Sequence, residues 1–301
     1  MVTALLVAAR IVANPVSNLF QKQLTARAVH PIAVIAVTHF LLSLIAVPLM
    51  AFPSFRAIGP GFWPNLVGCA ALAVASNVLL VYALRSADLS ILGPVNAYKA
   101  VISLALGTVV LGEFPTAWGL AGVGLILLGS YGVTDREPGA ARSGGFRRFF
   151  AQRGVQLRLA ALLLSATEAV FLKRTLQASA PGATFVWWCL VGFPLALIAG
   201  WITLRVGRTS IPAQIVALRL QRRTCCWLAL TTGIMQATTL FTFDRLPVGY
   251  SLALFQTSSL ISVLLGHRFL REGHVGRRIT GSLVMIAGAV LIVLRGRAGP
   301  G

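Results

Sequence analysis

Acidic residues are scarce in this chain. It holds 7 Asp and Glu against 26 Lys and Arg, and charged residues of either sign make up only 11% of its 301 positions. A soluble domain carries about a quarter charged residues, so a soluble fold is excluded. The lack of acids also argues against enzymes that cluster carboxylates around Mg²⁺, such as prenyl or phosphoryl transferases. No phosphate-cradling glycine loop followed by Lys and Ser or Thr is present, which disfavours an ATP-driven pump. Cys69, Cys189, Cys225 and Cys226 have neither zinc-site nor disulfide-framework spacing and read as small buried hydrophobes. Of the four histidines only His39 falls deep in an apolar run, where it reads as a satisfied interior residue. A Ser–His hydrolase therefore has no constellation to work with. Neither a metal nor a cofactor is expected, and the protein is not read as an enzyme.

What the chain has in quantity is apolar sequence. Mean hydropathy is +0.83, and ten runs approach the roughly 20 residues that cross a bilayer core as helix. They lie at about 2–21, 32–52, 63–84, 90–111, 116–134, 157–177, 184–204, 226–243, 249–266 and 279–294. The first has no basic residue before Arg10 and reads as a retained span rather than a signal peptide. Most Lys and Arg fall in the loops that follow odd-numbered spans. By the positive-inside rule those loops face the cytoplasm and both termini lie outside, in a bacterial-type plasma membrane. The net charge of +19 thus belongs to membrane topology and implies no nucleic-acid partner. Residues 209–224 read either as a basic helix lying on the membrane surface, with Ile211, Ile215 and Leu218 on one face, or as a plain basic loop.

The two halves overlay without a gap. At an offset of 159, residues 84–133 align with 243–292, pairing Ile102/Ile261, Ser103/Ser262, Leu106/Leu265, Gly107/Gly266, Leu111/Leu270, Glu113/Glu272, Gly122/Gly281 and Gly129/Gly288. The acid pair is the most telling, because acids are so few. Five spans per half is an odd number, so the second half enters the membrane from the other side. The loops agree: 112–116 has no Lys or Arg, whereas its counterpart after Gly266 is basic. The expectation is an all-α membrane protein of two inverted five-helix repeats, 1–134 and 157–301, joined by a basic linker at 135–156.

The motif Gly-x-x-x-Leu-(Gly/Arg)-Glu, at Gly107–Glu113 and again at Gly266–Glu272, is followed in both halves by a glycine-rich span. With the five-plus-five arrangement it resembles the EamA-type branch of the drug/metabolite transporter superfamily. The second copy departs only in Arg271 for Gly112. The resemblance implies a central cavity walled by the third, fourth, eighth and ninth spans, and alternating access by rocking one half against the other. It says nothing of the substrate.

Lys99 is the strongest site candidate. It falls about 13.5 Å along the fourth span from Ser90, near mid-membrane, where a lysine costs about 2.5–3.5 kcal/mol unless wet or paired. Asn96, Lys99 and Ser103 share a face, and in the second repeat Phe255, Ser258 and Ser262 match it. Tyr98 and Gln256 lie at similar depth, as do Tyr250 and Gln236. This face offers an ammonium, amides and hydroxyls to a carboxylate or phosphate. The competing reading is an internal ion pair that only holds helices together. Glu168 is the one acid well inside a span, a candidate for proton coupling or for a lock with Lys99 or Arg10. Arg10 itself reads as structural, its head snorkelling to the surface. Glu113 and Glu272 read as caps of the short turns in which they sit. Pro94 predicts a break in the fourth span with no counterpart in the ninth, where Leu252 and Ala253 stand. The expected function is secondary transport of a small anionic or zwitterionic metabolite, an amino acid or organic acid, with protons as a candidate coupling partner. Export of cationic drugs or amines and flipping of a lipid carrier remain the alternatives.

Overall fold

The computed structural model describes residues 1–102, 105, 116–133, 149–246 and 248–295. Its elements are α1 (Val2–Ala26), α2 (Pro31–Leu49), α3 (Phe62–Ser86), α4 (Leu89–Val95), α5 (Ala117–Val133), α6 (Arg153–Gln177), α7 (Pro181–Val206), α8 (Ile211–Leu220), α9 (Arg222–Arg245), α10 (Val248–Phe255), α11 (Ser258–Leu270) and α12 (Val275–Arg295). Among the described residues the fold is all-helical. Six helices are long and apolar enough to cross a membrane, namely α1, α2, α3, α6, α7 and α12. In lipid this is the economical solution, since a helix satisfies its backbone within one segment. Large apolar side chains such as Leu44, Trp63, Trp118, Leu128, Leu197, Trp201 and Leu283 face outward.

Each helix of the first half packs chiefly on one from the second. The dominant pairs are α1 with α9, α2 with α7, α3 with α6, α4 with α11 and α5 with α12. Glycine lets two of these pairs close up. In the α5–α12 pair a Cβ at Gly288 would strike the carbonyl of Gly122 and come within 2.9 Å of Ile126 and Leu125, and a Cβ at Gly129 would lie 2.7 Å from the carbonyl of Gly281. Backbones this close pack well without any hydrophobic driving force, which lipid does not supply. Gly288→Ala is therefore expected to lower the melting temperature of the purified protein, at a cost of about 1–3 kcal/mol. Gly124→Ala, where a Cβ meets nothing within 4 Å, is expected to leave it unchanged or slightly raised.

The fourth and ninth apolar runs are both broken. Helix α4 ends at Val95, turns through Asn96 and Ala97, and resumes at 98–102; α10 ends at Phe255, turns through Gln256 and Thr257, and continues as α11. In both turns the backbone bonds shorten to i→i−3, as in Lys99 N–H to Asn96 and Ser259 N–H to Gln256. The one-sided break expected from Pro94 is thus corrected. In the second repeat a Gln-Thr-Ser-Ser run does the same work, because its hydroxyls compete for the backbone. Thr257 Oγ1 donates to the Leu254 carbonyl at 2.7 Å and Ser262 Oγ to that of Ser258 at 3.2 Å. The two broken helices cross at Gly93, where a Cβ would overlap Ser262.

Within residues 209–224, Ile211–Leu220 form α8, none of whose side chains is buried. Ala217 and Leu218 pack against the cluster around Leu24 and Cys225, while Ile215, Val216 and Leu220 stay exposed. Ile215 and Leu218 therefore do not share a buried face.

Candidate functional site

The crossing is pinned at one end by a carboxylate. Glu272, in the turn between α11 and α12, accepts from the N–H groups of Leu89 and Ser90 at 2.8 Å each, from Ser90 Oγ, and from Lys22 Nζ at 2.9 Å. It caps α4, in the other half of the chain, rather than the helix that follows its own turn. The free N–H groups and positive dipole end of a helix favour a carboxylate there. Arg278 lies against Asp88 at 3.0 Å and Glu272 at 3.7 Å, and Lys22 stands 3.8 Å from Asp88. Two acids and two bases thus form a charge-balanced cluster that ties α1, α4, α11 and α12 together. Burial alone would raise the Glu272 carboxyl, but hydrogen bonds from Ser90 and the charge of Lys22 outweigh it and hold the group below its ordinary value. Its repeat partner Glu113 lies outside the described residues.

Above this cluster a central cavity of about 140 Å³ opens between the halves. Lys99 and Asn96 line it, as expected from their shared helix face, and so does Glu168. Ser103 lies outside the described residues, as does the side chain of Tyr250. Tyr98, Gln256, Ser258 and Ser262 are not brought to the cavity. Tyr98 packs edge-on against Phe150 with centroids 5.7 Å apart. Ser258 and Ser262 are buried at the helix crossing. Gln256 supports the wall from behind, its Oε1 accepting from Asn96 Nδ2 at 3.2 Å. A one-residue offset between the two breaks places it there: Asn96 opens one turn and Gln256 the other, so their amides meet.

Lys99 and Glu168 interact electrostatically across the cavity, and Arg10 interacts with Glu168 as well. No hydrogen bond or close ion pair commits Lys99 or Glu168 to a partner among the described residues. No close internal ion-pair lock is formed at either residue among the described residues. Arg10 does not snorkel. Its Nε donates to Thr239 Oγ1 at 2.7 Å, and its guanidinium sits 4.8 Å over the ring of Phe255, which stacks on Phe243.

Arg158, near the start of the 157–177 run, was not singled out from the sequence as a site residue. Helix α6 begins at Arg153, so Arg158 is already inside it, is buried, and lines the cavity. Its Nη2 donates to Asn96 Oδ1 at 3.1 Å, completing a chain from Arg158 through Asn96 to Gln256. The available signal was Leu157, Leu159, Ala160 and Ala161 around it, an apolar setting unlike that of the linker arginines before it. His39 also lines the cavity, packed on Trp188 with centroids 4.7 Å apart. Its Nδ1 has no hydrogen-bond partner, contrary to the expected satisfied histidine. Close approach of Gly192 makes room for the ring. Gln236 lines the cavity as well.

The EamA-like transporter family matches residues 2–134. The first half of this chain is thus similar to that family. No curated protein sequence matches the chain. A solved structure described only as "Crystal structure of protein" is similar over 94% of this chain and 96% of its own, with a TM-score of 0.57 and 16% identity. That likeness is one of fold alone, and it extends over the second half as well as the EamA-like first half.

Proposed function

We propose that this protein is a secondary-active membrane transporter that carries small metabolites bearing a carboxylate or phosphate, by alternating access around the central cavity. The observation that carries the substrate class is the charge of that cavity. Arg10, Lys99 and Arg158 line it, and Glu168 is the one acid lining it among the described residues. A cationic drug or amine would meet three like charges there. A cavity of about 140 Å³ is also below the roughly 300–1,000 Å³ of pockets for drug-sized ligands, and a lipid carrier is larger still.

The transport cycle in this reading rests on ten spans arranged as two inverted five-helix repeats. Support comes from the pairing of helices. A twofold axis in the membrane plane exchanges the first span with the sixth and the third with the eighth, so α1–α9 and α3–α6 become equivalent contacts, while α2–α7, α4–α11 and α5–α12 lie on the axis. Those are the dominant pairs. The matched breaks in the fourth and ninth spans lie where such transporters place their substrate. Glu168, with Lys99 and Arg10 nearby but no bonded partner, is the proposed proton-coupling group. The basic loops face the cytoplasm in this reading, with both termini outside.

The test is a melting-temperature screen of purified protein against small acids, amino acids and lipophilic cations. A ligand at 100 times its Kd stabilises by about 2.7 kcal/mol. Acids or amino acids are expected to raise the melting temperature and cations to leave it unchanged. Stabilisation by cations alone would overturn the reading.

A further inference from the structure

We infer that the occupant of the cavity is a doubly charged small anion, such as a short dicarboxylate or a phosphomonoester, gripped by Arg158 and Arg10 together. This rests on the proposal that the cavity is a transport site, and narrows it from any acid to a dianion.

The charge count comes first. Among the described residues that line the cavity, Lys99 and Glu168 carry opposite charges, which leaves two guanidinium groups. Arginine stays protonated in proteins, so these two charges are not lost by giving up a proton. A bound monoanion or zwitterion would leave positive charge uncompensated in a low-dielectric site, whereas a dianion balances it.

Hydrogen bonding makes the same demand. Each guanidinium spends part of its donor set on the protein, Arg10 on Thr239 and Arg158 on Asn96. Each also keeps a buried donor without a protein acceptor: Nη1 of Arg10 and Nε of Arg158. A buried charged donor left unmade is costly, and such groups in native structures call for an explanation. Both side chains line the cavity, so two anionic oxygen groups on one ligand supply acceptors to both guanidinium groups.

Preorganisation and size complete the case. Arg158 is held in place through Asn96 by Gln256 across the helix crossing, and Arg10 by Thr239 and the face of Phe255. Little side-chain ordering is left to do on binding. At about 140 Å³ the space equals some five water volumes of roughly 30 Å³ each, which suits a molecule of a few carbons. A site built for two charges at a fixed separation rejects a ligand lacking one of them, because the unmatched guanidinium is then left buried and unpaired.

The experiment measures binding to the purified full chain by thermal shift and calorimetry, with succinate, glycerol phosphate, butyrate and serine as probes. Wild type is expected to bind succinate or glycerol phosphate at least tenfold more tightly than butyrate or serine. Which of the two dianions binds tells carboxylate from phosphate. Arg158→Gln is expected to bring the dianion down to the butyrate level while weakening butyrate less, and Arg158→Lys to restore part of the difference. Arg10→Gln is the second variant, with the same expected loss, should Arg158→Gln not fold. Equal binding of succinate and butyrate, or tightest binding of serine, would overturn the dianion and leave acid transport standing. Failure of every acid and amino acid to bind would overturn the transport reading itself.

Discussion

Glu272→Ala is expected to destabilise the protein by about 3–5 kcal/mol, the cost of removing one partner from a buried charge cluster. The carboxylate caps two N–H groups of α4 and holds Lys22 and Arg278. Without it, Asp88 is the one acid left to the buried Arg278 and the mostly buried Lys22 among the salt bridges of the described residues. Asp88 is 40% exposed and cannot take over the cap, because its side chain makes no cap hydrogen bond to α4. Glu272→Gln keeps an acceptor oxygen and loses the charge, so a smaller cost of about 1–3 kcal/mol is expected. The loss has a pH signature. The folded-state value of Glu272 lies below its ordinary one, so its contribution is complete above the unfolded value of about 4.3 and disappears as pH falls through the folded value. Melting temperatures of wild type and Glu272→Gln are expected to differ at neutral pH and to converge as pH falls through the folded value, below the ordinary carboxylate range. Curves that remain parallel into acid would show that the ionised carboxylate is not what holds the cluster.

Lys99→Ala is expected to abolish stabilisation by small acids. A hydrogen bond to a charged group contributes about 1.5–3 kcal/mol, roughly a 10- to 150-fold loss in Kd. The ammonium lines the cavity with no bonded partner of its own among the described residues. Its removal therefore costs the ligand more than the fold, and the ligand-free melting temperature is expected to change little. A large drop in ligand-free stability together with unchanged acid binding would assign Lys99 to structure. Glu168→Gln run beside it separates the two cavity charges. Losing the acid removes a repulsion for anions, so acid affinity is expected to hold or rise while any pH dependence of transport is lost.

The sequence by itself determined the membrane setting and the helical class. These are properties of composition and period, and they need no knowledge of which helix touches which. Lys99 and Asn96 were legible for the same reason, because residues three apart on one helix share a face whatever surrounds it. The EamA-like motif was legible too, as a short pattern of glycine and acid. What a single strand of sequence does not encode is contact between segments far apart. Glu272 could be read as a cap, but its helix is α4, some 180 residues away in sequence, and only the packed structure names it. Gln256 sits one residue out of the repeat register, so it meets Asn96 only because two broken helices cross. The break in the ninth span carries no proline, and its cause became visible in the hydroxyls that bond back to the helix. Arg10 was read as a surface charge and Arg158 was passed over, because position along the chain was all there was to judge them by. The tertiary structure turns both inward, so that among the described residues three cations and one acid line the cavity.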